Sequence, residues 1–209
     1  MRVYVATANA GKLRELQALF APDEFELVTA DRYESPAEGD TSYGDNAALK
    51  ALALHARLVR EGIAANVLAD DSGIEVAALA RRPGVLTAYY GGAAATWPER
   101  RRRLIDELAA TGSPDRAARF VCAMHFVGGD GREFASMATV TGEIAYEDRG
   151  AAGFSFDPIF VYPPLARTFA ELIDDEKNRV SHRAVAAAGL IAEVRASYRV
   201  RNHRTRGKN

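Results

Sequence analysis

Apolar and polar positions divide most of the chain into short apolar runs and longer stretches of helical period. An apolar run opening at Val3 ends in a polar turn, and Leu13, Leu16, Leu19 and Phe20 then recur at helical spacing. Residues 3–20 therefore predict strand, tight turn and amphipathic helix. Residues 25–29 predict a second strand. Residues 30–44 are polar and turn-rich, and an Ala/Leu helix follows from about residue 45 to about residue 60, with Asp45 in its first turn, where an acid complements the helix dipole. Asn46 and Lys50 are spaced i, i+4 and share one face of that helix.

Residues 66–69 predict a buried strand, because the run is short, apolar and closed by Asp70-Asp71-Ser72-Gly73. This stretch has two readings. It is an acidic turn in which Asp70 or Asp71 accepts backbone N–H groups and Gly73 supplies a positive φ. Alternatively, in an α/β sheet, where ligands bind beyond the carboxyl ends of strands, it delivers two carboxylates and a hydroxyl to the reactive rim. Residues 74–79 can return as a strand, Arg82-Pro83-Gly84-Val85 is a turn, and residues 87–92 are aromatic and glycine-rich. Pro98 opens a helix to about residue 110, on which Arg100 to Arg103 read as a solvated face. Residues 116–127 and 133–142 alternate as an antiparallel pair joined by Gly128-Gly129-Asp130-Gly131. Gly150 and Gly153 permit close backbone approach ahead of a core strand, and Phe154 or Phe156 offers a flat face on which a base could stack. Ser181 caps an Ala-rich helix. His182 and Arg183 in that helix's first turn run against the dipole preference for acids and so suggest a ligand-facing role.

The chain has 209 residues, a length that suits one core with a second lobe, and an apolar fraction of 48% is ample for that core. The formal charge of −1 gives no bulk attraction to nucleic acid or to an anionic membrane, so an anionic ligand must be met locally. One cysteine, Cys122, excludes an intramolecular disulfide and a Cys-based metal cluster. With neither a signal-peptide pattern nor a membrane-spanning apolar run, a soluble cytoplasmic protein is expected. Residues 201–209 carry Arg201, Arg204, Arg206 and Lys208 with no apolar partner and read as a frayed, disordered basic tail after a single domain over residues 1–200.

Only four of the 27 basic residues are lysines. A compact ammonium suits phosphate oxygens, and Lys12, Lys50 and Lys177 each stand beside other polar candidates. At Thr7-Ala8-Asn9-Ala10-Gly11-Lys12 a strand gives way to a helix whose free N–H groups either meet a phosphate or are capped by Thr7 or Asn9. Leu13 follows Lys12, so the turn is no Walker loop.

Six segments together resemble the inosine triphosphate pyrophosphatase family in order and spacing: residues 7–12, Asp45-Asn46-Ala47 with Lys50-Ala51, Ala69 to Gly73, Pro83-Gly84-Val85, residues 153–160 and Ser181-His182-Arg183. Each motif is weak alone; their order is specific. The resemblance implies an α/β, two-lobed fold with a mixed twisted sheet flanked by helices, a cleft between the lobes and usually a homodimer. It implies Mg²⁺-dependent hydrolysis of ITP, dITP or XTP to monophosphate and pyrophosphate, which cleanses the nucleotide pool. By the same resemblance Asp71 is the general base and a metal ligand, with Glu38 or Asp45 beside it. Thr7, Ala8, Asn9, Ala10, Gly11, Lys12, Lys50 and Ser72 hold the triphosphate, and Phe154, Ser155, Phe156, Asp157, Lys177, His182 and Arg183 line the base and sugar. Chemistry agrees, since Mg²⁺ commonly takes one or two carboxylates and completes its shell with phosphate oxygens and water.

The chain departs from the family pattern at several places. Ala37-Glu38 replaces a pair of glutamates, Asp45 a glutamate, Ala8 a glycine, Ser155-Phe156 a Gly-Tyr pair and Tyr89 an arginine. Two alternatives follow: a pyrophosphatase for other modified nucleotides, such as the septum-inhibitor-like proteins, or a nucleotide-binding protein that has lost turnover.

Overall fold

A computed structural model of the chain describes residues 1–206, with side chains through residue 198. Strand β1 (Arg2–Val5) leads into helix α1 (Ala10–Leu19), and strand β2 (Glu26–Thr29) into helix α2 (Tyr43–Arg60). Strand β3 (Asn66–Val76) follows, then a 3-10 turn (Gly84–Tyr89), helix α3 (Trp97–Ala110), and the long strands β4 (Ala117–Val127) and β5 (Glu133–Ile144). Short strands β6 (Phe160–Tyr162) and β7 (Arg167–Thr168) precede helices α4 (Asp174–Val180) and α5 (His182–Arg206). The seven strands of the described residues form one sheet in the order β2-β1-β3-β4-β5-β6-β7. The β1 pairings are parallel and the rest antiparallel, so the sheet is mixed, as expected.

The acidic stretch is not a turn. β3 runs unbroken through Asp70, Asp71, Ser72 and Gly73, which pair with Met124, Ala123, Cys122 and Val121 of β4. The parallel partner β1 stops at Val5, opposite Leu68. Beyond that point one side of β3 loses its neighbouring strand and faces the turn into α1, while β4 keeps it extended. Gly73 has no positive φ; its role is close approach. A Cβ there would lie 2.3 Å from the Gly84 carbonyl oxygen and 2.6 Å from Thr87 Oγ1, because Thr87 hangs the 3-10 turn on β3 by accepting from the Ile74 N–H at 3.0 Å. Gly73→Ala is expected to destabilise the protein by the roughly 1–3 kcal/mol of an overpacked site, read as a lower melting temperature.

Strand periodicity sends successive side chains to opposite faces. Leu68 packs with Leu16 of α1, Phe20 at that helix's C-cap and Leu190 of α5, whereas Val67 and Ala69 pack with Ala51, Leu54 and Leu58 of α2. Asp70 and Ser72 therefore share the α1/α5 face, and Asp71 the α2 face. Two expectations are corrected. Arg100 and Arg101 are buried; helical period sets them on the face of Leu104, Ile105 and Leu108, which outweighs their charge once each guanidinium is hydrogen-bonded. Residues 201–206 continue α5 and form no frayed tail; residues 207–209 lie outside the described residues.

Candidate active site

A cleft opens where β1 ends. Its walls include Ala6 to Asn9, Lys12, Tyr33, Ser35, Glu38, Lys50, Asp71, Ser72, Val85, Thr87, Ala88, Trp97, Phe154 and Ser155. On the α2 side, Lys50 Nζ lies 3.0 Å from Asp71 Oδ1 and 3.2 Å from Glu38 Oε1. The i, i+4 partner Asn46 donates to Asp71 Oδ2 at 3.3 Å, accepts the Gly39 N–H at 2.8 Å and donates to the Gly39 carbonyl at 3.0 Å. One face of α2 thus clamps the loop carrying Glu38 against β3. Burial raises the Asp71 carboxyl above the ordinary carboxylate range against the pull of Lys50 and Lys12. Burial disfavours the Lys50 ammonium, yet Asp71, Asp70 and Glu38 together hold it charged and raise its pKa. Asp45 stands exposed in the first turn of α2, which leaves Glu38 as the carboxylate beside Asp71.

At the turn into α1, Asn9 is the cap: its Oδ1 accepts the Gly11 and Lys12 N–H groups at 2.9 and 3.1 Å. Thr7 Oγ1 in turn accepts the Asn9 N–H at 3.1 Å. Lys12 Nζ projects over β3 to within 3.2 Å of Asp70 Oδ2.

Beneath the cleft on the α1/α5 face runs a chain of alternating buried charges. Arg183 donates to Asp70 Oδ2 through Nε at 3.2 Å and Nη2 at 3.0 Å, to Ser72 Oγ at 3.0 Å, and to Glu15 through Nη1. Glu15 also accepts from Lys177 at 2.6 Å, and Lys177 donates at 2.6 Å to Asp157, whose Oδ2 accepts the Phe154 N–H at 2.7 Å. With Lys12 the formal charges cancel, three acids against three bases. Burial opposes ionisation of Asp70, but Lys12 and Arg183 outweigh it and hold the carboxyl well below the usual range. Burial likewise opposes Glu15, whose pKa Arg183 and Lys177 nevertheless lower. At Asp157 burial prevails over Lys177 and the pKa rises.

This arrangement places the expected base-side residues in two layers. Phe154 and Ser155 are on the cleft, with Lys177 Nζ 5.2 Å and the Arg183 guanidinium 5.7 Å from the Phe154 ring centre. Lys177, Asp157 and Arg183 lie behind it, joined to one another as described. Phe156 is a correction: it is fully buried between Tyr90 and Trp97 and offers no stacking face. His182 is another, for it stacks on Phe120 with ring centres 4.5 Å apart, and burial, then Arg183 and Lys177, press its pKa well below the ordinary value. The ring of Phe156 is taken by packing against α3 and the turn before it, that of His182 by β4. Ser155 adopts φ 59°, the region that favours glycine, at a position where the family pattern has one. Tyr89 is exposed and stands outside the cleft lining.

Sequence reasoning missed Glu15, Tyr33, Trp97, Arg100 and Arg101. Arg100 donates to the carbonyls of Ala88 at 2.6 Å, Gly92 at 2.9 Å and Ala95 at 3.0 Å; Arg101 donates to the Ser155 carbonyl at 2.9 Å and to Asp148. They tie α3 to both loops of the far wall. The signal for them was there, since helical period aligns Arg100 with Leu104 and Arg101 with Ile105. Nothing in the sequence marked Glu15 apart from other helical glutamates.

Lysines and carboxylates at one end of a cleft and aromatic rings at the other, over a mixed α/β sheet, are what a protein needs to take an anionic ligand that also carries a flat ring. Comparison narrows that class. Residues 3–193 match the Ham1 family, and the chain belongs to it. It is 40% identical over 197 residues to a dITP/XTP pyrophosphatase of an Exiguobacterium species, covering 93% of this chain and 97% of that one. It is 42% identical over 192 residues to a dITP/XTP pyrophosphatase of Geobacillus kaustophilus, covering 90% and 91%. Its fold is similar to that of a HAM1 protein from Coxiella burnetii, with a TM-score of 0.79 and 34% identity over 94% of this chain and 99% of the other. The resemblance read from motif order is borne out.

Proposed function

We propose that this chain hydrolyses non-standard purine nucleoside triphosphates (ITP, dITP and XTP) to monophosphate and pyrophosphate. The observation that carries the reading is the Asp71–Lys50–Glu38 cluster at the mouth of the β1–α1 turn, in a chain whose relatives bear that activity in their names. Asp71 takes the proton of the attacking water as the α–β anhydride bond breaks and pyrophosphate leaves. A carboxyl raised by burial is the better base, because proton transfer is most efficient when the pKa approaches the working pH. Lys12 and Lys50 meet the phosphates as point charges, and Phe154 offers its ring to the base.

Asp71 and Glu38 also fit Mg²⁺. Two carboxylates converging on one cation, with the remaining positions left to phosphate oxygens and water, are the donor set this ion commonly takes. Among the described residues no group of three or more metal-ligating side chains forms. When bound, the ion would neutralise charge on the polyphosphate.

The exposed apolar stripe Leu49, Leu52 and Val59 on α2 supports a homodimer, and light scattering on the purified chain tests it. No helix among the described residues is long and apolar enough to cross a membrane, and a cytoplasmic place for the enzyme is part of the same proposal. The deciding experiment is a pyrophosphate-release screen over nucleoside triphosphates with and without Mg²⁺. ITP, dITP and XTP are expected to be hydrolysed far faster than ATP or GTP, with activity lost in chelator and restored by Mg²⁺. Activity confined to modified pyrimidine triphosphates, or tight ITP binding without pyrophosphate, would replace this reading with one of its alternatives. Lys12→Ala is expected to weaken binding of every triphosphate alike; a base-dependent loss would show that the ligand lies the other way round.

A further inference from the structure

The chain has one tryptophan, Trp97, and it stands on the cleft wall with Val85, Ala88, Phe154 and Ser155. None of the chemistry above uses it. Its placement is nevertheless built in detail. Thr96 caps α3 in a reciprocal box with Glu99, and Pro98 fixes the first turn, so the residue between them has little freedom. The indole meets buried Phe156 edge-on, with ring centres 5.7 Å apart and planes at 79°. On another side the Arg100 guanidinium lies 5.1 Å from its ring, a cation–π distance. Arg100 is itself fixed by three carbonyls, and Arg101, one turn beyond Trp97, holds the Ser155 carbonyl. The indole is thereby locked relative to the Phe154-Ser155 turn, yet it is only half-buried.

The cleft's polar groups are gathered elsewhere. Lys50, Glu38 and Asp71 cluster on the α2 side, whereas Trp97 shares its stretch of wall with Val85, Ala88 and Phe154. The cations near that end lie against the rings themselves, Arg100 at Trp97 and Lys177 and Arg183 at Phe154, and each is already held by protein oxygens, so what that end offers a ligand is two aromatic surfaces. Resting on the nucleotide reading above, we infer that Trp97 is a specificity-determining residue: its indole is a second aromatic surface, besides Phe154, in contact with the purine ring of the bound nucleotide. A two-ring base covers more of that surface than a one-ring base, so Trp97 favours purines over pyrimidines.

Because Trp97 is the sole tryptophan, its emission tests this directly. The protein is titrated in chelator with ITP, with CTP and with inorganic tripolyphosphate, exciting at the red edge of indole absorption. ITP is expected to change the emission saturably and CTP less, while tripolyphosphate competes for the site without changing it. Trp97→Ala is expected to raise KM for ITP roughly 10- to 100-fold, the scale of one base–aromatic contact, with kcat little changed and tripolyphosphate inhibition intact; Trp97→Phe is expected to restore most of the loss. Emission unmoved at ITP concentrations that calorimetry in the same chelator shows to saturate binding would overturn the inference, as would an unaltered KM in folded Trp97→Ala. The wild-type titration decides even if the alanine variant does not fold. If the wild-type protein neither binds nor hydrolyses ITP, the reading of the site falls and Trp97 with it; if it hydrolyses ITP while Trp97 stays silent, only this inference falls.

Discussion

Asp71→Asn is expected to lower kcat by at least about 100-fold, the usual loss of a positioned base, while the melting temperature stays near that of the wild type. Asparagine keeps the side chain's shape and a carbonyl oxygen for Lys50, and Glu38 remains 3.2 Å from the ammonium, so no charge is stranded. The pH profile supplies a second test. A base works only when deprotonated, and burial raises the Asp71 carboxyl above its ordinary value of 3.8. Activity is therefore expected to fall on the acid side as this carboxyl takes up its proton, and this limb is expected to vanish from the residual activity of Asp71→Asn. Near-normal turnover in a folded variant would sink the assignment. Asp70→Asn is the contrast. Its side chain lies on the other face of β3, within the buried charge chain, and the substitution is expected to show chiefly as a lower melting temperature.

Local chemistry was the part of the architecture most legible in the sequence. Asn9 as cap, Asn46 with Lys50 on one helix face and the glycine approaches at 150 and 153 follow from residue type and spacing, and each is present. At Gly153 a Cβ would lie 2.3 Å from Asp157 Oδ2, which is the approach expected there. What misled were positions where distant strands or helices override local signals. Asp70-Asp71-Ser72-Gly73 is good turn chemistry, yet β4 supplies a full antiparallel ladder and the stretch stays extended. Phe156 differs from Phe154 by nothing a residue type records, and His182 carries no mark of burial; only the packing of α3 and β4 decides that these two rings are covered. Arg183 against the helix dipole suggested a ligand-facing side chain, yet the structure buries it behind the cleft, and the local cost has a distant reason. That reason is a carboxylate 113 positions earlier in the chain.

The two carboxylates of β3 have opposite chemistry because strand period separates them. Asp71 faces a loop and a flexible lysine, keeps some exposure and stays available to a proton. Asp70 faces two cations with no solvent and stays ionised. The second arrangement supports the first: the chain from Asp70 through Arg183, Glu15 and Lys177 to Asp157 joins β3, α5, α1 and α4 to the turn bearing Phe154. It fixes the aromatic end of the cleft relative to the acidic end. Buried ion pairs add little net stability over apolar packing, but breaking one leaves a charge without a partner.

Arg183→Ala is accordingly expected to lower stability by up to about 3–5 kcal/mol, since it leaves Asp70 with Lys12 alone and Glu15 with Lys177 alone, one buried negative charge in excess where no water reaches Asp70. For a chain of this size each kcal/mol shifts the melting temperature by about 2–4 °C, so a fall of up to roughly 6–20 °C is anticipated. Arg195→Ala is the control, because its pair with Glu24 is exposed on both sides, and such pairs contribute about 0–1 kcal/mol. Adding Asp70→Asn to Arg183→Ala is expected to recover part of the loss, as two residues in one network do not act additively. Acid unfolding gives an independent readout. Asp70 has a lowered pKa in the folded state, so its stabilising contribution is fully present above the unfolded carboxylate value and is lost as pH falls through the lowered one. Without Arg183 that lowering shrinks, and acid unfolding is expected to begin at a higher pH than in the wild type. A variant that melts like the wild type and unfolds at the same pH would show that the buried chain of charges does not hold the two ends of the cleft together.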